Sequence, residues 1–133
     1  MTTLQAVPGA GYPGVASLDI LGSVAPYISG EEEKIEQEVT KLLGVPQDSR
    51  IVGAPIVVSA HANRVPVGHG HTVCLTVGFD QPVTPEAALE VLRAWRGEGA
   101  CEGLPSRANG APLVVRAEED RPQARRDVYA GGG

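Results

Sequence analysis

Residues 72–79 alternate without a break. Val73, Leu75, Val77 and Phe79 are apolar, and Thr72, Cys74, Thr76 and Gly78 between them are small or semi-polar. A period of two is the mark of a β-strand with one buried face, because successive side chains project to opposite sides of a sheet. Such a strand needs neighbours along its edges and a cover over its apolar face. Two helical segments can supply the cover. Residues 31–43 predict the first: Ser29 and Glu32 have capping-box spacing, Glu31, Glu32 and Glu33 crowd the first turn, and Gly44 followed by Pro46 supplies the stop. Ile35, Val39, Leu42 and Leu43 fall on one face of it. The second starts at Thr84 as N-cap with Pro85 in the first turn, and runs to about Arg96 before Gly97. Ala88, Leu92 and Trp95 make its expected buried stripe.

Further strands are expected over residues 1–7, over 51–60 with an irregular continuation towards Val67, and over 112–116. Residues 9–14 read as a tight Gly/Pro loop, 18–28 as irregular, 98–111 as loop, and the charged stretch from about 118 as an extended or mobile tail. The fold class that follows is α+β, a mostly antiparallel or mixed sheet with two helices on one face. If the helices take the Val73 face, the Cys74 and Thr76 face is left bare. A second copy is the economical cover, so the pattern predicts a homodimer across the sheet.

At 133 residues the chain is expected to be one domain, residues 1–133. Aromatics are few, so aliphatic side chains must fill its core. A net charge of −5, with no basic run among aromatics, argues against a nucleic-acid partner. No apolar stretch approaches the roughly 18–20 residues of a membrane span, and the N-terminus lacks a signal-peptide pattern, so no membrane partner is expected. Cys74 and Cys101 lack zinc-type spacing, which fits a reduced, cytoplasmic protein.

Chemistry concentrates in residues 61–71, HANRVPVGHGH. All three histidines lie there with Arg64. In an extended segment His69 and His71 would project to the same side. Imidazole is a proton carrier near neutral pH and a common metal ligand, but this spacing matches no familiar metal motif, so a metal stays open. Arg64 offers a planar fork for a carboxylate or phosphate; the commoner fate of an arginine is a surface ion pair. Glu31 and Lys34 have an equally ordinary reading, a solvated first turn. Cys74 reads as a packing residue, and Cys101 lacks the positive neighbour that would make it reactive. Gly9, Gly11 and Gly14 give G-x-G-x-x-G outside any βαβ unit, which excludes a dinucleotide site there.

Four ordered blocks, TTLQAVPGAGYPGV (2–15), LDILGSVAPYISGEEEKIEQE (18–38), NRVPVGHGHT (63–72) and LPSRANGAPLVVRAEEDRPQARRD (104–127), together resemble the aspartate-semialdehyde dehydrogenase family. The resemblance implies a catalytic and dimerisation domain of the kind found C-terminally in glyceraldehyde-3-phosphate dehydrogenase. The intact family reductively dephosphorylates L-aspartyl-4-phosphate with NADP as cofactor and a cysteine nucleophile. By the same resemblance Arg64 binds the substrate carboxylate, His71 is the general acid/base, and Glu31 and Lys34 contact the amino group and phosphate. The family's nucleophile and glycine-rich NADP loop match nothing in this chain, so no cofactor is expected in it and hydride transfer by it alone is not. Where the family usually carries Gln, Cys, Asp and Glu, this sequence has His61, Ala62, His69 and Val73.

Three readings follow, with an enzyme's catalytic domain favoured. The first is the substrate-binding and dimerisation domain of such a dehydrogenase, acting on a small anionic substrate. The second is a stand-alone domain recruited for other acid/base or metal-assisted chemistry through His61, His69, His71 and Arg64. The third is a non-catalytic dimerisation or regulatory pseudoenzyme.

Overall fold

The computed structural model describes residues 1–97 and 112–130. The chain divides into two compact units, Met1–Thr76 and Val77–Gly133. The first holds β1 (Thr2–Ala6), a 3-10 turn (Val7–Ala10), α1 (Ser17–Ile20), α2 (Glu31–Leu42), β2 (Val45–Gln47), β3 (Arg50–Val52), β4 (His61–Val65) and β5 (Thr72–Cys74). The second holds α3 (Pro85–Ala94) and α4 (Ala124–Asp127).

The central sheet of the first unit is mixed, as the α+β expectation allows. Its order is β4-β1-β5, with β1 parallel to β4 and antiparallel to β5. Parallel pairing sets Thr3 beside Ala62 and Gln5 beside Arg64. These four residues share one face and are all nearly buried. That face is therefore polar and small, with Ala62 at 0% exposure as its spacer.

Several expected elements differ. The strand expected over 72–79 stops at Cys74, because the β1 ladder ends at the Thr2–Cys74 pair. The alternating row is not buried among the described residues: Val73, Leu75, Val77 and Phe79 are all 45% exposed or more. Residues 51–60 do not form one strand. Residues 50–52 instead pair back on 45–47 around Asp48, which has a φ of 54°. Gly53 and Pro55 then interrupt the extension, since proline cannot donate to a ladder. Residues 112–116 form no strand, and the stretch expected to be an extended tail carries α4.

Helix α2 starts and stops where expected, but not by the expected cap. Its N-cap is Gly30 at a φ of 74°, a left-handed geometry that suits glycine, and no side chain caps it. The Glu32 carboxylate is instead engaged by the backbone N–H of Ala62 at 3.0 Å. Ile35 and Val39 are half-buried, while Leu42 and Leu43 of the predicted face are exposed. In α3 the Thr84 hydroxyl accepts from the Ala87 N–H at 3.2 Å, the cap the sequence predicts. Its stripe is not buried, with Leu92 and Trp95 both exposed. Among the described residues no helix is long and apolar enough to cross a membrane.

Candidate active site

The site grows from the polar face of the first unit's sheet. Arg64, on β4, is 5% exposed. Its Nη1 donates to the Ala6 carbonyl at 2.9 Å and to Gln5 Oε1 at 3.3 Å. A buried guanidinium costs several kcal/mol of lost hydration unless its N–H groups find acceptors, and β1 supplies two. Both contacts run through one terminal nitrogen, which orients the remaining fork.

His71 approaches from the segment between β4 and β5. Its Nδ1 accepts the Ala6 N–H at 3.1 Å, so in the neutral ring the proton sits on Nε2. Gly9 shows how near the imidazole and the guanidinium lie to each other. A Cβ there would stand 2.6 Å from Arg64 Nη1 and 3.1 Å from both Cε1 and Nε2 of His71. Only glycine lets both side chains pack this closely against the turn.

The first turn of α2 brings the next two groups. Glu31 Oε2 accepts from Gln5 Nε2 at 3.1 Å, and Glu31 Oε1 pairs with Lys34 Nζ at 3.4 Å. The Gln5 hydrogen bond, helped by the charges of Lys34 and Arg64 and opposed by partial desolvation, holds the Glu31 carboxyl below its usual range. Gln5 thus links Arg64 to Glu31, with its amide oxygen on one and its nitrogen on the other. Sequence reasoning passed over it inside a short strand. The signal available was a large amide alternating with Thr3 where an apolar residue would normally sit.

The three histidines do not come together. His61 stands at the Thr2 end of β1, and His71 binds at Ala6, four positions and about 13 Å along the strand. The His61 side chain is 73% exposed, with Nδ1 3.8 Å from Glu32 Oε1. Gly70, at a φ of 73°, breaks the extended geometry that would align exposed His69 with His71. Among the described residues no group of three His, Cys, Asp or Glu side chains could hold a metal. Cys74 is a free, exposed thiol on β5, not the packing residue expected; Cys101 lies outside the described residues. An apolar groove of about 710 Å³ is lined by Val7, Pro8, Tyr12, Pro13, Ile20 and Val67 among others, and neither Arg64 nor His71 lines it.

The Gly9, Gly11, Gly14 loop does not fit a dinucleotide. Gly9 lies in a 3-10 turn with Arg64 and His71 against it, and the helix that follows, α1, has four residues. A pyrophosphate cradle needs free backbone N–H groups opening a longer helix.

The model of the family described as semialdehyde dehydrogenase, dimerisation domain, matches residues 1–131. The chain belongs to this family. It is 50% identical over 142 residues to an aspartate-semialdehyde dehydrogenase of Cryptococcus neoformans, and 45% identical over 139 residues to that of Trichophyton rubrum. Both alignments cover 100% of the chain and 38% of the relative, so this semialdehyde dehydrogenase domain spans less than two fifths of these curated relatives. The solved aspartate semialdehyde dehydrogenase with NADP from Candida albicans superposes with a TM-score of 0.81 at 40% identity, covering 95% of this chain and 36% of that one. The α+β class and the resemblance read from the four sequence blocks are borne out.

Proposed function

We propose that this domain binds the anionic substrate of an aspartate-semialdehyde dehydrogenase reaction, the reductive dephosphorylation of L-aspartyl-4-phosphate, and supplies an acid/base imidazole at its reacting carbonyl group. The observation that carries this reading is the convergence of Arg64 and His71 on Gly9, where a Cβ would crowd both side chains. The fork of Arg64 not used by Ala6 and Gln5 takes the substrate carboxylate in a charge-assisted pair. The Glu31 carboxylate, kept ionised, accepts from the substrate ammonium, and Lys34 faces the phosphate. His71 presents Nε2–H to the reacting carbonyl oxygen as a hydrogen-bond donor. To serve as general base the ring must leave the Ala6 N–H, so that Nδ1 carries the proton and Nε2 can take up a second one and later return it as general acid. Within this chain the catalytic contribution is orientation and proton transfer; the family resemblance assigns the acyl-carrying cysteine and NADP to other parts of the intact enzyme.

Amide and side-chain NMR of the chain, titrated with L-aspartate semialdehyde and separately with inorganic phosphate, tests this. Saturable shifts at Ala6, Arg64 and His71, lost in Arg64→Ala, are expected. Shifts that survive Arg64→Ala unchanged would overturn the reading.

We infer further that two copies pair through the sheet. The family's dimerisation description supports this, and the exposed Val73 and Leu75, at 45% and 65%, favour the apolar row as the pairing face in place of the Cys74 and Thr76 face expected from the alternation. Sedimentation of the wild type as a monomer at micromolar concentration would refute it, and Leu75→Asp is expected to dissociate the pair. The exposed free thiol of Cys74 suits a reducing, cytoplasmic setting.

A further inference from the structure

The outer edge of β4 shows what fixes α2 in place. His61 N points inward and donates to the Met1 carbonyl. The alternate donors point outward, and each finds an acceptor: Ala60 N on Glu36 Oε1 at 3.2 Å, Ala62 N on Glu32 Oε1 at 3.0 Å, and Arg64 N on the Ala25 carbonyl at 2.9 Å. Ala60 and Ala62 are 5% and 0% exposed, so water is a poor substitute. An edge strand usually leaves such donors open.

Two spacings coincide here. Residues four apart on a helix rise about 6.0 Å, and alternate amides of a strand lie about 6.6 Å apart. Glu32 and Glu36 therefore fall in step with Ala62 and Ala60. Apolar packing sets only a weak register of its own, since Ile35 and Val39 are half-buried and α2 has no fully buried residue. A slip of one helical turn would carry Glu31 about 5.4 Å from its place beside Gln5.

We propose that Glu32 and Glu36 are positioning residues, which clamp α2 to the edge of β4 and so fix Glu31 and Lys34 relative to Arg64. That the space so framed is a substrate pocket rests on the function proposed above; the clamp itself does not. His61, whose Nδ1 lies 3.8 Å from the Glu32 carboxylate, borders the clamp without replacing it.

The test compares Glu32→Ala/Glu36→Ala with Glu32→Gln/Glu36→Gln, whose amide oxygens still accept. In the alanine pair, amide exchange at Ala60 and Ala62 is expected to quicken at least about tenfold. The Glu31 carboxyl, followed by carbon-13 NMR, should return towards its ordinary titration range, and binding of L-aspartate semialdehyde should weaken about tenfold. The glutamine pair should keep all three near wild type. Should the alanine pair not fold, Glu32→Asp and Glu36→Asp, each one methylene too short, are expected to move the same readouts in the same direction. Faster exchange with an unmoved Glu31 titration, in any folded variant, would overturn the proposal by reducing the two carboxylates to edge covers. A wild type that binds no semialdehyde would refute the pocket reading alone, because the Glu31 titration still decides the clamp.

Discussion

Gly9→Ala is the sharpest probe of the site, because it adds one carbon at the place where two inferred functional side chains meet. The new Cβ would stand 2.6 Å from Arg64 Nη1, closer than real Cβ contacts, and 3.1 Å from the His71 ring. The guanidinium must give way, at the expense of the longer of its two Nη1 bonds, that to Gln5 Oε1 at 3.3 Å, while the Ala6 carbonyl bond is kept. Hydrogen bonds to a charged group are worth about 1.5–3 kcal/mol each, and strain shared between the groups lowers that loss. The alanine regains about 0.4–1 kcal/mol through a less flexible unfolded chain. Net destabilisation of about 1–2 kcal/mol is the expected balance. Ligand affinity should suffer more than stability, since a shifted fork loses its alignment with a carboxylate. A fall of about 10–100-fold, or about 1.4–2.8 kcal/mol, is expected for L-aspartate semialdehyde. Calorimetric titration and urea unfolding of the two proteins measure both quantities. A Gly9→Ala protein that binds as tightly as wild type would show that Arg64 and His71 do not serve one ligand, and would refute the site.

Other outcomes follow from local geometry. Arg64→Lys should lose most semialdehyde binding in the same titration although the charge is kept, because an ammonium cannot reproduce a fork already anchored at one nitrogen. Thr84→Ala should destabilise α3 by about 0.5–2 kcal/mol, read as lost helicity or earlier thermal unfolding. In the second unit the Asp127 carboxyl is lowered to about 2, first by hydrogen bonds from Arg121, then by the Gln123 N–H and the charges of Arg121 and Arg116. A folded value below the unfolded one, about 3.9, means this stabilisation is complete above that pH and disappears as pH falls through about 2. Residues 112–130 should therefore loosen between about pH 4 and pH 2 in amide exchange, and Asp127→Asn should remove that step.

Elements that declare themselves through local chemistry were legible in the sequence. Thr84 with Pro85 located α3, and the acidic turn with the Gly44 and Pro46 stop located α2. Elements that depend on a distant partner were not. Residues 75–79 have an ideal strand pattern but no ladder, since β1 ends opposite Cys74. The 45–52 hairpin has three-residue strands and an Asp-Ser turn in place of Asn-Gly, below what periodicity can detect. The capping box failed because Glu32 had two claimants and the sheet-edge amide of Ala62 holds it.

The site was legible in its charged members and hidden in its neutral one, for a reason that reaches back to the core. Binary patterning assumes that the buried side of a strand is apolar. In β1 and β4 it is Thr3, Gln5 and Arg64 that are buried, while Val73 and Leu75 stand exposed. The polar face is closed by its own hydrogen bonds, from Arg64 to Gln5 and from Gln5 to Glu31, and not by hydrophobic contact. Such a network is stable only when its members are satisfied, and exchanging Gln5 for an apolar residue would leave Arg64 with the Ala6 carbonyl and Glu31 with Lys34 as their remaining partners. The pocket is therefore part of what holds this sheet to its helix. Substitutions in it will lower stability and binding together, whereas the exposed apolar row can change with little loss to the isolated fold.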